Sequence, residues 1–314
     1  MKVPLLDCFE RCCAGTERAL SLYRLRRPVR GQTDSRVRSV FLFVSCLSLF
    51  IYTVLPSKGI SQNDPWRKID QGLLWSQFDS PYRVPAGDGK ITVVRIDPTY
   101  YSFKLLCASE LGKIRLTPKE WCRKYNLLCA INAGMYQEDG LTNVGYMKNF
   151  LHSNNPRLNS TYKAVLAFNR TDVSVPEIQI VDLKCQDFER LKLKYQTLVQ
   201  NIRMISCSQE NVWTQQDKRW SLAALGIEKG GNALLFFSES PHSGHDFINM
   251  LLSLPVPIFN AMYLEGGPEA GLYLSAKELE LEKVGIPWSG LAENSFRLSA
   301  QPIPNVIGIT KKPN

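Results

Sequence analysis

The chain has 314 residues, 44% of them hydrophobic and 21% charged, which is ordinary globular composition and excludes a disordered or fibrous protein. Its net charge of +9 suggests nucleic acid until the charges are located: residues 1–38 hold nine Lys/Arg against four acids, so over half the excess precedes the body of the chain. No basic strip interleaved with aromatics follows, and a charge-driven nucleic-acid binder is thereby excluded.

The basic segment 1–38 runs into an uncharged stretch, Ser39 to Pro56, of 18 residues. As a helix it would extend about 27 Å, enough to cross a thin bilayer. Arg36 and Arg38 flank its N-terminal side, so the positive-inside rule keeps the N-terminus in the cytoplasm and sends the remainder across. Residues 39–56 thus read as a single-pass anchor in the cytoplasmic membrane, with a cleaved export signal as the alternative. A polar linker, 57–65, leads to a domain over 66–314 on the periplasmic or extracellular side. Five cysteines fall in that domain (Cys107, Cys122, Cys129, Cys185, Cys207), and the spacing offers neither a redox CxxC pair nor a zinc knuckle. Buried thiols with one or two disulfides at most are expected.

Within the domain, ITVVRID (91–97) and YSFKLLCA (101–108) are rich in β-branched and aromatic residues around a proline turn and predict a hairpin. Thr117-Pro118-Lys119-Glu120 has the form of a capping box and starts a helix through Tyr125. LLCAIN (127–132) predicts a buried strand, with another recovering at 143–147. YKAVLAFN (162–169) and EIQIVDL (177–183) repeat the pattern, and QNIRMIS carries Arg203 on a further strand. SLAALGIEK (221–229) and ALLFFSES (233–240) flank Gly230-Gly231-Asn232 as a hairpin. Phe247, Ile248, Leu251 and Leu252 form the stripe of a helix packed on a sheet. IFNAMYLE (258–265) and PNVIGIT (304–310) complete the strands. The class is α+β, a strand-rich mixed sheet with a few packed helices.

Two stretches carry chemistry. In YLEGGPEAGLY an apolar strand ends in Glu265 and breaks at Gly266-Gly267, presenting a carboxylate at the sheet end where glycines leave room for a ligand. In INAGMYQEDG a buried strand delivers Asn132, Gly134, Tyr136, Glu138 and Asp139 to a loop. Each alone reads equally well as a polar turn.

Together, Asn132-Ala133-Gly134-Met135-Tyr136 and Leu264-Glu265-Gly266-Gly267-Pro268 resemble the phosphodiester glycosidase family over about residues 90–310. Glu265 stands where that family usually has Asp. Its customary Arg before the central strand has only Arg219 nearby, which marks a divergent bacterial branch. The resemblance implies a hydrolase that splits a sugar from a sugar-1-phosphodiester. Glu265 and a second carboxylate, for which Glu269, Glu138 and Asp139 compete, would supply the acid–base pair. His245 is the histidine placed to act as acid or phosphate ligand. Asn132, Gly134, Tyr136, Lys148, Arg203, Ser221, Gly266 and Gly267 are the candidate substrate contacts, although Arg203 reads equally as a buried ion-pair partner. Glu138 and Asp139, with Glu265, could hold Ca²⁺ or Mg²⁺ if they converge. A rival class, an envelope module that binds phosphorylated glycans without turnover, would keep the cradle and lack the acid pair.

Overall fold

The computed structural model describes residues 65–313 apart from 83, 85 and 287–298. The basic segment 1–38, the run 39–56 and the linker up to residue 64 lie outside the described residues, and no described helix is long and apolar enough to cross a membrane.

The described residues form three sheets. The first, seven-stranded, runs in the order β1 (Arg67–Asp70), β2 (Leu73–Asp79), β3 (Lys90–Ile96), β13 (Ala233–His242), β12 (Trp220–Glu228), β14 (Ile258–Gly266), β11 (Arg203–Ile205). The second places β16 (Leu279–Val284), β15 (Gly271–Ala276), β5 (Cys129–Asn132), β17 (Asn305–Lys311) and β4 (Tyr101–Cys107) side by side. The third comprises β7 (His152–Asn155), β6 (Met147–Asn149), β10 (Tyr195–Asn201), β8 (Ala164–Arg170) and β9 (Ile178–Asp182). Among the described residues three α-helices accompany them: α1 (Pro118–Tyr125), α2 (Phe188–Leu191) and α3 (Gly244–Ser253).

Strand alternation assigns the layers. On β12, Ala223, Leu225 and Ile227 join a core shared with the other two sheets, whereas Leu222 and Ala224 face a second cluster. On β3 the same split separates Val94 and Ile96 from Ile91 and Val93. Phe247, Ile248 and Leu251 of α3 cover that second cluster; Leu252 is 37% exposed and leaves the expected stripe. Because side chains alternate with period two, one sheet serves both layers, and each buried side chain adds roughly 1.5–3 kcal/mol of transfer free energy.

The helix over 118–125 forms with the capping box intact: the Glu120 amide donates to Thr117 Oγ1 and the Thr117 amide donates to Glu120 Oε2. β12 and β13 form the expected hairpin around Gly231, whose φ of +89° needs glycine. Three expectations fail. Residues 91–97 and 101–108 do not pair: β3 is held on both edges by β2 and β13, and β4 joins β17 in another sheet. The strand expected at 143–147 begins only at Met147, because buried Asn143 accepts from side chains and bends the chain there. Every ladder among the described strands is antiparallel, so the sheets are not mixed. The crossover through α3 does join strands of like direction, but β13 and β14 are separated by β12, which is antiparallel to both.

Candidate active site

Asn132 is the last residue of β5 and only 1% exposed, and its side chain crosses directly to the second motif. Its Nδ2 donates to the Glu269 carbonyl at 2.9 Å, and its Oδ1 accepts from the Gly271 amide at 2.8 Å. Glu269 is the last residue of the 3-10 turn Gly267–Glu269 that follows β14, and Gly271 opens β15. The asparagine of one motif therefore fixes the turn of the other, across 137 residues of sequence. Both polar ends of its side chain are engaged by backbone.

Glu265, 8% exposed, occupies the end of β14, where Oε1 accepts from the Gly266 amide at 3.0 Å. Three tyrosines register its charge. Burial, then Glu269 and Glu265, push the Tyr136 phenol up against the opposing pull of Arg115; burial and Glu265 raise Tyr162. Tyr263 lies well above the usual phenol range, through burial first and Glu265 next. Two carboxylates and three protonated phenols thus share one neighbourhood. Arg115 joins it, its guanidinium carbon 5.5 Å from the Tyr136 ring centroid. Arg115 is exposed and has no ion pair among the described residues.

The glycines have other uses than admitting a ligand. A Cβ at Gly266 would lie 2.1 Å from Trp220 Cδ1 and 2.3 Å from the Tyr263 hydroxyl, so the missing side chain makes room for the aromatic wall. At Gly134 the space is taken by the Asn201 and Asn143 amides, 2.5 and 2.6 Å away. Only Gly267 is set by conformation, with φ at +68°.

The other expected site residues are placed as follows. Arg203 Nη1 donates to both oxygens of Asp182 at 2.9 Å, joining β11 of the first sheet to β9 of the third. Beside it, Cys185 and Cys207 form a disulfide, and the Cys207 amide also donates to Asp182. The ion-pair reading of Arg203 is the one the geometry supplies. Lys148 pairs with Leu198, whose side chain belongs to the outer cluster of the third sheet, so it points away from the shared core. Ser221 is fully buried, donating to the Glu239 carbonyl and accepting from the Ile286 amide at 2.9 Å. His245 interacts with Asp246 (3.7 Å) and Asn249 (3.4 Å) of its own helix. Asp139 caps its own loop, accepting from the Leu141 and Thr142 amides, while Glu138 is exposed; neither belongs to a group of three potential metal ligands among the described residues.

Four residues near the site escaped sequence reasoning: Arg115, Tyr162, Trp220 and His242. His242, 2% exposed, stands opposite Trp220 in the β12–β13 ladder. Burial, then Arg219, lower its imidazole to about 4 against a weaker opposite pull from Asp246, so it is neutral near pH 7. Only the presence of three histidines in the whole chain could have drawn attention to it.

Comparison with known proteins places the fold. The zebrafish N-acetylglucosamine-1-phosphodiester alpha-N-acetylglucosaminidase catalytic domain, auto-inhibited by its pro-peptide, is similar at a TM-score of 0.51 and 14% identity, over 78% of this chain and 86% of that one. A hypothetical protein from Synechocystis is similar at a TM-score of 0.53 and 13% identity, over 80% of this chain and 64% of that one. At such identities the likeness is one of fold. No curated protein matches the sequence. The family model for phosphodiester glycosidases matches residues 125–310, a span holding both motifs that Asn132 ties together, and the chain belongs to that family.

Proposed function

We propose that the protein is a hydrolase releasing a sugar from a sugar-1-phosphodiester, with Glu265 and Glu269 as its carboxylate pair. The observation that carries this reading is the Asn132 bridge, which holds the Glu269 turn against the loop bearing Tyr136. Glu265 takes a proton from the attacking water as the bond between the anomeric carbon and the phosphate oxygen breaks. The phosphomonoester departs as a stable anion and needs little protonation. Arg115, exposed beside Tyr136, is the cation placed to meet the phosphate, in the role that sequence had offered to Arg203. Tyr136 and Trp220 give the sugar apolar faces.

In this reading residues 39–56 anchor the protein in the cytoplasmic membrane, and the domain works outside the cytoplasm. The Cys185–Cys207 disulfide supports an oxidising compartment. The test is sugar release by the purified chain from a panel of sugar-1-phosphodiesters. Glu265→Gln keeps shape and most hydrogen bonds, so the fold should persist while turnover falls by about 10²-fold or more. Undiminished turnover would return Glu265 to a turn residue, and no turnover by the parent would favour a binding module.

A further inference from the structure

On another part of the domain, Cys107 ends β4, Glu110 lies in the turn after it, and His152 opens β7. The Cys107 sulfur, a Glu110 carboxylate oxygen and a His152 ring nitrogen all lie within 4.8 Å of one another. These are three different donor types from two sheets, brought together by tertiary structure. The Glu110 amide donates to the Cys107 carbonyl at 3.0 Å, which closes the turn after β4. Glu110 Oε2 accepts from Asn149 Nδ2 at 2.9 Å, and His152 Nε2 is 2.9 Å from Ser109 Oγ, so both side chains are already oriented. The Met147 sulfur, 3.7 Å from that of Cys107, closes the inner side.

We propose that Cys107, Glu110 and His152 form a zinc site, with a water in the fourth position on the exposed Glu110 side. Thiolate, imidazole and carboxylate are the ligand types Zn²⁺ takes in tetrahedral geometry, and the set is too soft for Ca²⁺ or Mg²⁺. Binding releases the Cys107 proton to solvent, and ligand separations must contract from the present spacing as the exposed Glu110 closes. The second group of donors, Asp182, Cys185 and Cys207, has no such capacity, since its cysteines are joined in the disulfide. The site's consequence is structural. It ties the second sheet to the β6–β7 hairpin of the third, next to Asn154, whose side chain donates to Ser109 Oγ and the Leu141 carbonyl and accepts from the Asn143 amide. Zinc would thereby stiffen the base of the loop that carries Tyr136.

The experiment uses the full purified chain, stripped with chelator and titrated with Zn²⁺ against a chromophoric competitor, then with Co²⁺ as a spectroscopic substitute. Cys8, Cys12 and Cys13 offer further thiols, so the readout is the difference between the parent and two variants. Cys107→Ser and His152→Gln should each remove one equivalent or weaken it by at least about 100-fold. Cys107→Ser should also remove a thiolate-to-cobalt charge-transfer band, and Zn²⁺ should raise the melting temperature of the parent more than that of His152→Gln. Half-buried His152 keeps the test available if Cys107→Ser fails to fold. Equal stoichiometry, affinity and cobalt spectrum in parent and His152→Gln would overturn the proposal.

Discussion

Replacing Asn132 by alanine tests whether the two motifs are mechanically one unit. The change leaves the buried Gly271 amide without its acceptor, a loss of about 1–3 kcal/mol, and removes the donor to the Glu269 carbonyl, roughly 0.5–1.5 kcal/mol more. The combined cost is about 1.5–4.5 kcal/mol. For a domain of this size each kcal/mol lowers the melting temperature by about 2–4 °C, so a drop of about 3–18 °C is expected. Turnover should fall as well, because Glu269 ends the released turn and Glu265 stands two residues before its start. Asn132→Asp is a sharper variant: it retains an acceptor for Gly271 but sets a carboxylate against the Glu269 carbonyl in a site that is 1% exposed, so it should cost at least as much. Thermal melts and sugar release from the same preparations measure both effects. A change within about 0.5 kcal/mol, the range of an ordinary surface substitution, would refute the structural bridge. Lost stability with unaltered turnover would refute the coupling to the site.

Other outcomes follow from the same geometry. Arg115→Ala should raise KM by about 10–100-fold, the loss of a hydrogen bond to a charged group, with little change in melting temperature because Arg115 is exposed; an unchanged KM would remove it from the phosphate. Arg203→Ala should instead destabilise by about 3–5 kcal/mol in denaturant titrations, since it leaves the 1% exposed Asp182 carboxylate unpaired; intact stability with weakened substrate binding would reverse that assignment. His242 makes stability pH-dependent. Its folded value of about 4 lies below the ordinary imidazole value of about 6.5, so its contribution is complete above pH 6.5 and is lost as pH falls toward 4. The gap corresponds to at most about 3 kcal/mol. Urea unfolding of the parent between pH 7.5 and about 4.5 should show a loss that His242→Gln lacks, and parallel curves would contradict it.

What the sequence determined by itself was local. The capping box at Thr117–Glu120, the β12–β13 hairpin and the α3 stripe each depend on contacts a few residues apart, where dihedral preference and periodicity suffice. The two Gly-containing motifs were legible as a family pattern, and Glu265 as a carboxylate at a strand end. The tertiary structure decided the rest. Whether 101–108 pairs with its sequence neighbour or with β17 turns on which strand edges are free, a global property that alternation does not encode. Arg203 was legible as a cation in an apolar strand, but not that Asp182, 21 residues away, would take its charge. Conversely Arg115 carries no local signal; only the fold sets it over Tyr136. The asparagine and glycines of the motifs were read as ligand-facing, yet Asn132 bonds to backbone and Gly266 yields its space to Trp220 and Tyr263. A pattern names the residues a site requires. Which of them face the substrate and which hold the others in place is settled by burial and hydrogen-bond satisfaction, and these exist only once the sheets have packed.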